Sequence, residues 1–64
     1  MIGVTVACNR HEDLAEADTA EGALLAARTL FDEAYERWGG AFQPRIIFHL
    51  PDGRIITFPP GRKP

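Results

Sequence analysis

Ile2, Val4, Val6 and Cys8 alternate with Gly3, Thr5 and Ala7 at the start of the chain. A period of two carried by β-branched residues predicts a strand with one apolar and one small, polar face. From residue 18 the period lengthens. Ala20, Ala23, Leu24, Ala27, Phe31, Ala34 and Trp38 recur at steps of three and four, the stripe of an amphipathic helix over Asp18–Trp38. Asp18 and Glu21 have the spacing of a capping box at its start. Gly39–Gly40 ends it, because glycine takes the left-handed conformation beyond a helix C-terminus without a Cβ clash. The alanines allow the helix to come close to a sheet, and Leu24, Phe31 and Trp38 supply apolar area.

Arg45–Leu50 and Arg54–Phe58 return to the strand pattern on either side of Pro51-Asp52-Gly53. Proline suits position i+1 of a type I turn and glycine the left-handed residue after it, which predicts a hairpin with a three-residue loop. The register sets Phe48 opposite Ile56 and Ile46 opposite Phe58 on one side, with His49 opposite Ile55 and Ile47 opposite Thr57 on the other. Asn9–Ala17 is polar and acidic, with Leu14 its only large apolar residue. It reads as a loop, with a short extra strand at 14–17 as the alternative, since a connection this long is uncommon.

The expected fold class is α+β: β-α-β-β, one amphipathic helix packed on one face of a three-stranded, mainly antiparallel sheet. A right-handed crossover would place the last strand between the other two. Residues 1–60 form a single domain, and 61–64 are expected to fray.

Composition narrows the function. A 64-residue chain with 45% hydrophobic residues is one small globular domain without room for an enclosed cleft. Seven basic and nine acidic side chains leave a net charge of −2, against the basic excess of most nucleic-acid binders. One cysteine, Cys8, cannot form an internal disulfide. No signal-peptide pattern and no apolar run of about 20 residues is present, so the expected location is cytoplasmic.

Candidate chemistry is sparse. Cys8-x-x-His11 has a spacing found in zinc sites, but a structural site needs four ligands, and His49 is expected on the other face. A Cys8–His11 nucleophile pair lacks an orienting carboxylate and an oxyanion donor set. Glu12, Asp13, Glu16, Asp18 and Glu21 suit a solvated loop and helix N-terminus better than a cation site, for no EF-hand spacing is present. No enzyme activity, metal or cofactor is expected.

Asp18-Thr19-x-x-Gly22-Ala23, after an early strand, resembles the helix start of small HicB-like antitoxin domains, where a strand pair precedes the helix. The resemblance assigns no role to any residue.

One helix covers one face of a sheet. The other face is expected to display Thr5, Ala7, Ile47, His49, Ile55 and Thr57, an apolar patch of the kind that marks interaction sites. The expected function is therefore a protein-interaction module, a homodimer or an inhibitor or adaptor of a larger protein, binding through that face. The hairpin edge offers strand addition as a second route. The alternative is a nucleic-acid accessory protein using Arg45, Arg54, Arg62 and Lys63.

Overall fold

The computed structural model describes residues 1–64. Its elements are β1 (Ile2–Cys8), β2 (His11–Ala17), α1 (Ala20–Trp38), β3 (Arg45–His49) and β4 (Ile55–Thr57). The fold is α+β, with the helix on one face of a four-stranded antiparallel sheet of order β2-β1-β3-β4.

The segment expected as a loop is a full strand. Asn9 and Arg10 both have positive φ (50° and 67°) and close a two-residue hairpin between Cys8 and His11. Positive φ at both central residues defines the type I′ turn, whose twist matches that of antiparallel strands. In β2 the inward positions are His11, Asp13, Ala15 and Ala17, and the outward ones Glu12, Leu14 and Glu16. Alanine inside and glutamate outside give almost no hydrophobic alternation, which hides the strand from its own sequence.

The hidden strand also corrects the sheet order. Because β2 carries the chain back across the sheet, the helix connects β2 to β3, two strands each antiparallel to β1 and so parallel to one another. The crossover spans β1. The last strand therefore lies at the edge, outside β3, and not between two others.

The β3–β4 hairpin keeps the expected register, Ile47 with Thr57, Phe48 with Ile56 and His49 with Ile55. Leu50 N–H donates to Arg54 O and Gly53 N–H to Leu50 O, with Gly53 at φ +91°. This is the type I turn plus left-handed glycine that Pro51-Asp52-Gly53 encodes.

The helix starts one residue later than expected. Thr19, not Asp18, is the cap, and its Oγ1 accepts from Gly22 N–H at 3.0 Å. Val4, Val6, Cys8, Ile46 and Phe48 from the sheet meet Ala23, Ala27, Phe31 and Ala34 from the helix in one buried cluster. Ala20 stays exposed at the end of the stripe. His11 stacks on Trp38 at 4.7 Å between centroids, tying the first hairpin to the last helical turn. Residues 61–64, expected to fray, lie along the helix here: Lys63 Nζ donates to Asp32 Oδ1 at 2.7 Å and Arg28 Nε to Pro64 O at 3.2 Å.

The helix lies over β1 and β2, touches β3 less and does not reach β4. An open groove of about 230 Å³ therefore remains beside it, walled only by hydrophobic side chains, Leu24, Phe48, Leu50, Ile56 and Phe58 among them. No helix is long and apolar enough to cross a membrane.

Candidate protein-interaction face

Antiparallel partners project to the same side of a sheet, so the register defines the outer face row by row. The first row runs Glu16, Gly3, His49, Ile55; the second Leu14, Thr5, Ile47, Thr57; the third Glu12, Ala7, Arg45. All six residues expected to form the patch, Thr5, Ala7, Ile47, His49, Ile55 and Thr57, thus share one face, and no element covers it.

Their exposure differs. Ile55 is 61% exposed, and His49 and Thr57 are open to solvent. Ile47 and Ala7 are half-buried, while Thr5 is only 7% exposed. Thr5 is closed in by its cross-strand neighbours Leu14 and Ile47, and its Oγ1 lies 3.1 Å from His49 Nε2. That contact satisfies a hydroxyl that burial would otherwise leave unpaired, and it fixes the imidazole over the centre of the face.

Leu14 is the residue that the patch lacked. It is 75% exposed and lies in the same row as Thr5 and Ile47. The signal for it was Asn9 at the end of an alternating run, since asparagine tolerates the left-handed conformation a tight hairpin needs. The same pairing brings Glu12 and Glu16 to one margin of the face, with Arg45 two strands away.

The four basic residues of the nucleic-acid alternative do not form one cluster, although Arg62 follows Gly61, whose N–H donates to Pro44 O next to Arg45. Arg54 donates to Asp52 at the hairpin tip, and Lys63 is bound to Asp32 on the helix. Arg45 starts β3, while Arg54 follows the turn at the opposite end of that hairpin. Five strand positions separate these two rows, about 17 Å at 3.4 Å per residue.

The cysteine and histidines are also separated. Cys8 and His11 face each other on the inner side, His49 lies on the outer face, and no three His, Cys, Asp or Glu side chains converge. Burial pushes the Cys8 thiol above its ordinary pKa by desolvating the thiolate, the opposite of what nucleophilic activation requires.

Comparison with protein-family models, curated proteins and solved structures returns no match. No family model supports the HicB-like resemblance of Asp18-Thr19-x-x-Gly22-Ala23.

Proposed function

We propose that this chain is a small protein-interaction module without a catalytic step, and that its contact surface is the outer face of the sheet. Leu14 and Ile55, largely exposed on either side of Ile47 on a face that no element covers, are the observation that carries the proposal. Only 11 of 64 residues are buried, so a layer laid over this face would add materially to the apolar area taken from water. A lone free cysteine and no disulfide fit the reducing cytoplasm as its setting.

The test is a Leu14→Glu/Ile55→Glu double variant. Both side chains are exposed, so the far-UV spectrum and thermal midpoint should stay close to those of the parent. Association, read as solution mass or as capture of a partner from the native host, should be lost. Unchanged association in a folded double variant overturns the proposal.

A further inference from the structure

The occupant of the outer face has to match its relief and its charge. Down β1 the outward side chains are the smallest on the face, Gly3, Thr5 and Ala7. Down β3 they are large, His49, Ile47 and Arg45. A furrow over β1 therefore runs beside a ridge over β3, in the two central strands of the sheet, open at Ala7 and narrowed at Gly3 and Thr5 by the His49 imidazole, which leans across Gly3 to Thr5 Oγ1. On the far side of the furrow, β2 carries Glu16, Leu14 and Glu12.

We propose that the occupant is a second copy of this chain, packed face to face about a two-fold axis parallel to the strands and midway between β1 and β3. The proposal rests on the outer face being the contact surface. The operation sets the ridge of one copy over the furrow of the other, row by row. Arg45 then lies over the second copy's Ala7, with the second copy's Glu12 on the adjacent strand, one spacing of about 4.8 Å away. His49 stays over its own Gly3, its imidazole reaching Thr5 Oγ1, and in that row the second copy's Glu16 lies opposite Ile55. In the central row Ile47 meets the second copy's Thr5 and Leu14.

The Arg45 and Ile47 rows thus place a large β3 side chain over a smaller one, and Arg45 has a carboxylate for its next neighbour. The packing angle of about 30° between stacked sheets rotates the rows little at the axis and more at the margins. The other face-to-face two-fold, perpendicular to the strands, reverses the row order. It would set Glu12 against the second copy's Glu16 and leave Arg45 with no carboxylate opposite or next to it. Charge therefore selects the first orientation, since like charges in contact disfavour an interface.

Charge reversal in trans tests the arrangement. The parent chain should have a solution mass near twice its 7.1 kDa. Glu12→Arg or Arg45→Glu alone creates two like-charge contacts per dimer and should raise the dimer dissociation constant at least tenfold. Mixing the two variants restores both contacts, because each then meets the complementary charge, and should return the mass to that of a dimer at low salt. Circular dichroism on each variant confirms folding, and the Glu12→Arg/Arg45→Glu double variant should dimerise by itself.

A parent chain that stays monomeric at millimolar concentration overturns the second copy. The interaction module then stands or falls separately on whether Leu14→Glu/Ile55→Glu abolishes capture of another protein. A dimer indifferent to both single reversals, or a mixture that stays monomeric, overturns the orientation proposed.

Discussion

The two faces of this sheet are made from the same strands and differ in what they do with apolar residues. On the inner face Val4, Val6, Ile46 and Phe48 are almost wholly withdrawn from water and meet a helix whose contact residues are mostly alanine. On the outer face Leu14, Ile47 and Ile55 have nothing over them, and the only deeply buried side chain, Thr5, is polar and held by His49. Alternation along a strand forces every residue onto one face or the other. Neighbours in sequence thus serve different ends: Ile46 secures the fold, and Ile47 belongs to the surface. The inner face is closed by one short helix, and that closure stops before β4, which is exposed on both sides.

Ile46→Ala should break the inner face with the largest effect of any change considered. Ile46 is fully buried in the central cluster, and truncating such a side chain costs about 2–5 kcal/mol. At roughly 0.05–0.15 kcal/mol per residue a domain of this size has about 3–10 kcal/mol in total. The variant should be largely unfolded or melt tens of degrees lower, read by circular dichroism. A shift of only a few degrees would show that the inner face carries less of the stability than its burial implies.

Cys8 probes the same face through pH. Cys8 as a residue is 5% exposed, and the pKa of its thiol is raised by desolvation from the ordinary 9.0. In the unfolded chain the thiol ionises near that ordinary value, while in the folded chain it keeps its proton to higher pH. The folded state then binds more protons above pH 9, so its stability falls as pH rises. Below that point the contribution is constant. The slope from this group is at most about 1.4 kcal/mol per pH unit, and a Cys8→Ala variant should lose it. Urea midpoints between pH 8 and 10.5 for both chains give the comparison.

The inner face was largely legible in the sequence and the outer face only in part, and the reason is physical. Burial against a helix demands apolar residues at every second position, and Ile2 to Cys8 and Ile46 to Phe58 supply them. The Pro51-Asp52-Gly53 turn fixed the register of the second hairpin because proline and glycine restrict backbone angles directly. β2 left no such trace. Its inward residues can be alanine because the helix approaches closely, and its outward ones are free to be charged. Its turn, Asn9-Arg10, lacks the glycine that usually marks a type I′ hairpin. Missing that strand moved the last strand to the wrong place in the sheet and left Leu14, Glu12 and Glu16 off the face. Thr5 was placed on the correct side, but its burial depends on Leu14 arriving next to it.

The smallest effect expected is at Ile55, and it separates the two faces most cleanly. Ile55 has the same side chain as Ile46, sits on the edge strand next to that of Ile46 and is 61% exposed. Its outward position means that Ile55→Ser removes little buried apolar area within one chain. In dilute protein the change should alter stability by less than about 0.5 kcal/mol, the range of surface substitutions away from special features. Measured at rising concentration, the parent should gain thermal stability as a second copy binds, since ligand binding to the folded state adds to it by mass action, and Ile55→Ser should gain less. A parent midpoint independent of concentration, together with a large loss at Ile55 in dilute solution, would mean that this isoleucine supports the fold of the single chain and that the division between the faces is drawn in the wrong place.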